Sequence, residues 1–183
     1  PISAGTQIGQ SIYGGGNGVW SFNGWSVTSN FNGNVIAMGE PFYNNPNTGR
    51  VRVYENINGS WFQLGQDILG PYTHDKFGYS VSLNDFGDIL IVGSPGHNQH
   101  SGSVFVYKFD GSSWIQLGST IHAQNIGDGN GHSVTISSDG YTIAVSSPGG
   151  DGCSLNNPQI NDCGDVRIYS WNGTDWFQKG TDI

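Results

Sequence analysis

Apolar and polar residues alternate with a period of two in three stretches that share one frame. Trp25 and Val27 alternate with Ser26 and Thr28, Tyr79, Val81 and Leu83 with Ser80 and Ser82, and Val134 and Ile136 with Ser133 and Thr135. Such a period predicts a strand with one face buried. A short turn follows each stretch, at Asn32-Gly33, Phe86-Gly87 and Asp139-Gly140, where glycine supplies the positive φ of a tight hairpin. The next runs, 35–38, 89–92 and 142–145, are almost wholly apolar, as suits a strand covered on both faces. Beyond a loop, 51–54, 104–107 and 166–169 predict a third strand. Hairpins at Asn58-Gly59, Asp110-Gly111 and Asn172-Gly173 lead to a fourth at 61–64, 114–117 and 176–179. No apolar 3.6-residue period persists between the Gly and Pro punctuation, so no helix is expected.

The spacing makes these stretches one array. Gly24, Ser26, Gly33 and Pro41 recur as Gly78, Ser80, Gly87 and Pro95, then as Gly131, Ser133, Gly140 and Pro148. Tyr54 to Trp61, Tyr107 to Trp114 and Tyr169 to Trp176 are each seven apart, and only the Pro-to-Tyr loop varies, at 13, 12 and 21 residues. Repeats of this length are stacked supersecondary units. The chain 1–183 is therefore read as a single repeat array with units near 8–64, 65–117 and 118–179. Four antiparallel strands whose two faces both need cover describe a β-propeller blade. The expected fold class is all-β: three four-stranded antiparallel propeller-type blades, forming a partial propeller or one completed between molecules. The alternative is a pseudo-threefold β-prism or trefoil.

Three blades fall short of the four to eight that usually close a propeller. Segment 7–12 aligns with 63–68 and 178–183, so an open face and edge are expected at each end. Such surfaces recruit partners, here further blades of a longer chain or other copies packed head to tail into a ring or filament.

Composition narrows the class. Thirty glycines in 183 residues and only 11% charged residues describe a turn-rich chain, and 13% aromatics supply what a disordered segment lacks. A net charge of −8, with six Lys and Arg placed singly, argues against nucleic acid. No apolar run approaches the roughly 18 residues of a membrane span, and no charged-then-apolar leader is present. The chain opens on Pro1 rather than Met, as expected of a processed product or a piece of a longer one. Cys153 and Cys163 both fall in the longest variable loop, where a disulfide is preferred over two free thiols. Zinc is disfavoured because no second Cys or His pair stands nearby at ligand spacing. The bridge implies an oxidising, extracellular setting.

Phe77-Gly78-Tyr79-Ser80 followed by Val92-Gly93-Ser94-Pro95 resembles the FG-GAP repeat of integrin α-chain propellers and of many extracellular bacterial and algal proteins. Asn23-Gly24-Trp25-Ser26 with Met38-Gly39-Glu40-Pro41, and Asn130-Gly131-His132-Ser133 with Ser146-Ser147-Pro148, are looser copies in the same register. The resemblance implies an extracellular propeller with a structural or adhesive role. Calcium-binding members carry an aspartate-rich loop in the first hairpin. Here that hairpin is only 29–34, 84–88 or 137–141 and lacks alternating oxygen ligands, so no metal site is expected.

Geometry places the variable loops, 42–49, 96–102 and 149–164, on the same face as the links 13–23, 69–77 and 122–130. Loops on a rigid scaffold carry function. Asn44, Asn45, Asn47, His97, Asn98, Gln99 and His100, with Tyr43 and Tyr72, suit sugar hydroxyls and ring stacking, although Asn and Gly are also plain turn formers. On the opposite face Asn58 and Asn172 match the N-glycosylation pattern, which is equally a preferred hairpin turn.

Catalysis finds little support. His97 and His100 have no clear third ligand, Asp75, Asp85, Asp128 and Asp139 fall in turns, and no nucleophile elbow appears. Trp61, Trp114 and Trp176 with Tyr54, Tyr107 and Tyr169 are expected to pack between blades. The expected function is an extracellular structural, adhesion or assembly module, with no enzyme activity and no cofactor. Carbohydrate binding on the variable-loop face is the alternative.

Overall fold

Each alternating stretch becomes the first strand of its own antiparallel sheet. In a computed structural model, which describes residues 5–14, 22–44, 46–150 and 163–183, the first sheet runs β1 (Ser26–Ser29), β2 (Val35–Glu40), β3 (Arg50–Ile57) and β4 (Ser60–Gln63). β5 (Ile68–Leu69) pairs with the start of β3. The second sheet holds β6 (Ser80–Leu83), β7 (Ile89–Ser94), β8 (Ser103–Phe109) and β9 (Trp114–Gln116), with β10 (Ile121–His122) on β8. The third holds β11 (Ser133–Ile136), β12 (Thr142–Ser147), β13 (Asp165–Trp171) and β14 (Trp176–Gln178). Register repeats with the sequence: Val27 faces Met38, Val81 faces Val92, and Val134 faces Val145.

Two features depart from expectation. β5 and β10 are two residues long, too short for any periodicity to announce. The absence of helix is corrected by α1 (His97–His100), yet Asn98 (φ 46°) and Gln99 (φ 57°) are left-handed, so this stretch is a tight coil of backbone rather than a right-handed helix.

The blades stack in chain order, the first strand of the middle one lying beside those of both neighbours. They form an open run rather than a closed pseudo-threefold unit. Val35, Ala37, Val51 and Val53 of the first blade pack with Val81, Leu83, Leu90, Val92 and Phe105 of the second. Ile89, Ile91, Val104 and Val106 of the second pack with Val134, Ile143 and Val145 of the third. Close approach demands paired glycines. A Cβ on Gly39 would strike the Gly78 carbonyl oxygen, and one on Gly93 the Gly131 oxygen, while Gly78 and Gly131 themselves hold φ of 84° and 87°. These contacts give the recurrent glycines of the frame their physical reason.

Aromatic residues fasten one blade to the next. The indole N–H of Trp114 donates to the Leu64 carbonyl at 2.9 Å and that of Trp176 to the Leu117 carbonyl at 2.9 Å. Trp61 makes the same bond to Ile8 at 3.0 Å, so segment 7–12 takes the place that 63–68 takes one blade later. Gln10 and Gln66 repeat the likeness, each exchanging two amide bonds with the backbone of Trp61 or Trp114.

Burial separates the middle blade from its neighbours. Every residue of β7 is buried, whereas burial alternates along β12. Val27, Ile36 and Met38 occupy the positions of Val81, Leu90 and Val92, but they line an open groove of about 340 Å³, and Val27 is 69% exposed. At the other end Thr142, Ala144, Val166 and Ile168 take the positions of Ile89, Ile91, Val104 and Val106 and are only half-buried.

A candidate ligand-binding face

Links and variable loops meet on one face through backbone hydrogen bonds. His74 N–H donates to the Pro46 carbonyl at 2.7 Å and Lys76 N–H to that of Asn47 at 3.2 Å. Gly129 N–H donates to the His100 carbonyl at 2.9 Å and Asn130 N–H to that of Ser101 at 2.8 Å. Links 69–77 and 122–130 thus lie against the variable loops of the preceding blades, and the link and loop of the second blade wall a cleft of about 620 Å³.

Asp75 organises the cleft. Its carboxylate, 1% exposed, accepts from Tyr72 N–H at 3.1 Å and lies 3.0 Å from His97 Nδ1. Its carbonyl accepts from Ser94 Oγ and Gly96 N–H, so one residue ties the link to the loop. Burial pushes the Asp75 carboxyl above its usual range, against the opposing pull of His97. The His97 ring lies between Tyr72, at 5.2 Å, and His122, stacked at 5.7 Å. His122 is exposed overall, but burial of its stacked side, then the nearness of His97, lowers its pKa. Its Nδ1 lies 2.9 Å from Ser103 Oγ. A second cleft of about 240 Å³ adjoins the first and shares Lys76 and His100 with it. Beside it runs a row of rings from equivalent positions of the three blades, Trp25 to Tyr79 at 5.5 Å and Tyr79 to His132 at 5.1 Å.

The backbone here is unusual. Six of the residues lining the larger cleft, Asn47, His74, Lys76, Asn98, Gln99 and His100, have positive φ without being glycine. Left-handed backbone costs an L-residue about 1–2 kcal/mol, with Asn the best tolerated.

The structure brings together Asn47, Tyr72, His97, Asn98, Gln99 and His100 of the sequence-derived set. Tyr43 and Asn44 fall outside this cleft, and the Tyr43 ring lies under the Arg50 guanidinium at 3.8 Å. Asn45 and Cys153 lie outside the described residues, and no described cysteine is a free thiol. His97 is half-buried against Asp75, with 14% of its side chain exposed. Asn58 and Asn172 are exposed at hairpin tips. Asn58 takes a φ of 51°, and Asn172 Oδ1 accepts from Thr174 and Asp175. His74, Lys76 and His122 were not anticipated. The one available signal was that His74 and Lys76 stand where the third repeat has Gly127 and Gly129.

Residues 71–107, which contain most of this cleft, match the family model of the FG-GAP repeat. Such repeats typically occur in extracellular or cell-surface proteins. Comparison with curated proteins returns no match. Among solved structures the chain is similar to a putative 6-phosphogluconolactonase from Bacteroides fragilis, with a TM-score of 0.56 and 14% identity over 86% of this chain and 38% of that one. At this identity the likeness concerns the fold alone, and the chain spans 38% of the length of that structure.

Proposed function

We propose that the chain is an extracellular binding module, a run of FG-GAP-type blades that works by adhesion rather than catalysis and takes a saccharide on its variable-loop face. The observation that carries this reading is backbone strain kept for the sake of side chains. Gly127 and Gly129 make the left-handed link of the third blade at φ 92° and 67°, whereas His74 and Lys76 make it in the second at 66° and 54°. Glycine would lower the cost, so holding imidazole and ammonium groups at the cleft implies use. The sugar class rests on the Tyr72 ring, 62% exposed, beside the amides of Asn47, Asn98 and Gln99. A glycan array probed with the wild type and Tyr72→Ala tests it. Saturable saccharide binding lost in the variant is expected, and no binding to any glycan contradicts it.

An assembly role is the second reading, favoured by the groove at Val27, Ile36 and Met38. The equivalent positions one blade on are filled by the preceding blade, and a further blade, from a longer chain or another copy, fits here. Light scattering tests association between copies: multiples of 19.6 kDa are expected from head-to-tail packing, and a monomer contradicts it. The extracellular setting carries a Cys153–Cys163 bridge and glycans on Asn58 and Asn172 as further parts of the proposal. Thiol titration and the mass change on glycosidase treatment check them.

A further inference from the structure

Histidines and one lysine gather on one face of an acidic chain. The net charge is −8, with six Lys and Arg and five His. All three arginines are consumed by buried ion pairs, Arg50 and Arg52 with Glu40 and Asp67, and Arg167 with Asp165 and Asp182. All five histidines lie on the variable-loop face. His74, His97 and His100 line the larger cleft, His100 and His132 the smaller, and His122 stacks on His97. Lys76 lines both clefts.

We propose that the two joined clefts bind an acidic saccharide, one bearing carboxylate or sulfate groups, and hold it more tightly as the pH falls from 7.5 to 5.5. This rests on the saccharide reading above and adds the charge of the ligand and its control by protons. Tyr72 offers a ring for a sugar face, the amides of Asn47, Asn98 and Gln99 reach hydroxyls, and Lys76 supplies a permanent charge between the clefts. Histidine side chains gain theirs between pH 8 and 5. Among the described residues, the carboxylates lining the clefts are Asp75 and Asp128, both 1% exposed. Asp75 is held by Tyr72 N–H and His97, and Asp128 accepts from Asn125 N–H at 2.9 Å. Their neutralising charge is thus directed into the fold. Among the described residues Tyr72 against His97, Tyr79 against His132 and Ser103 against His122 are the further titratable and polar neighbours. An anion in the clefts favours the protonated imidazoles, and by linkage protonation favours the anion.

Titration calorimetry of the intact chain at pH 5.5 and 7.5 tests the proposal. The probes are oligogalacturonate for carboxylate, sulfated dextran for sulfate, neutral dextran and polyglutamate. At least one anionic saccharide should bind about fivefold to tenfold more tightly at pH 5.5, tenfold being the most that one histidine of free pKa about 6.5 supplies over this range. Which of the two binds identifies the anionic group. Lys76→Gln should weaken binding at both pH values, and His74→Asn with His100→Asn should flatten the ratio between them. Equal binding of neutral dextran at both pH values overturns the charge inference while leaving the saccharide reading standing. Polyglutamate binding as tightly as the sugars overturns it as charge without sugar recognition, and no binding by any saccharide overturns both.

Discussion

The middle blade and its neighbours are built on one frame and differ in where they place charge. At the positions of Glu40, Arg50, Arg52 and Asp67 in the first blade, the second has Ser94, Ser103, Phe105 and Thr120, and the third Ser147, Asp165, Arg167 and Asp182. Flanking blades bury ion clusters within their sheets, and the middle blade buries Phe105 against Phe77 instead. On the loop face the order reverses: His74, Lys76 and His97 stand where the third blade has Gly127, Gly129 and Gly150. Asp75 and Asp128 nonetheless do the same structural work. Each accepts from the link residue three positions back, Tyr72 or Asn125, and from Gly96 or Gly149 through its carbonyl. The aspartate therefore belongs to the frame, and the imidazoles and ammonium group around Asp75 are added chemistry.

The largest break in this comparison should come from Glu40→Gln. Glu40 is fully buried and pairs with both Arg50 and Arg52, and stranding buried guanidinium groups costs about 3–5 kcal/mol. Ser94→Ala at the equivalent place removes one hydroxyl hydrogen bond to the Asp75 carbonyl and should cost about 1 kcal/mol. Urea denaturation of the two variants checks the difference.

Gly127→Ala combined with Gly129→Ala comes next. A Cβ meets nothing within 4 Å at Gly127 and only Pro148 Cδ at 3.8 Å at Gly129, so the loss reports backbone strain alone. It should be about 2–4 kcal/mol in total, at 1–2 per left-handed residue.

Smaller again is the response of the free protein to acid. The His122 pKa is depressed, so its contribution is present above the unfolded value of about 6.5 and lost as pH falls through the folded one. Asp75 is shifted upward: its contribution is complete below the unfolded value of about 3.9 and declines as pH rises through the folded one. Thermal melts between pH 7.5 and 5.5 should show a decline in stability that His122→Gln reduces.

The repeating parts were legible in the sequence because they obey local rules. Alternation at 79–83, the apolar run 89–92 and Asn-Gly turns place strands and hairpins, and the match between 7–12 and 63–68 has its structural counterpart in the Trp61 bond to Ile8. The site was half legible. Chain order and antiparallel geometry put Tyr72, Asn47 and 97–100 on one face, but Tyr43 was claimed by Arg50 through a contact no spacing encodes. His74 and Lys76 escaped notice because residue type does not reveal φ. Only the glycines at 127 and 129, aligned beneath them, did so, and the pairing of His97 with Asp75 across 22 residues needed the folded link.

The central claim is that the second blade retains strain in exchange for binding, and the double variant His74→Gly with Lys76→Gly tests it most directly. Both residues are left-handed, so the variant should gain about 2 kcal/mol or more in denaturation while losing saccharide binding. A variant that is no more stable, or one that still binds as the wild type does, would contradict the account.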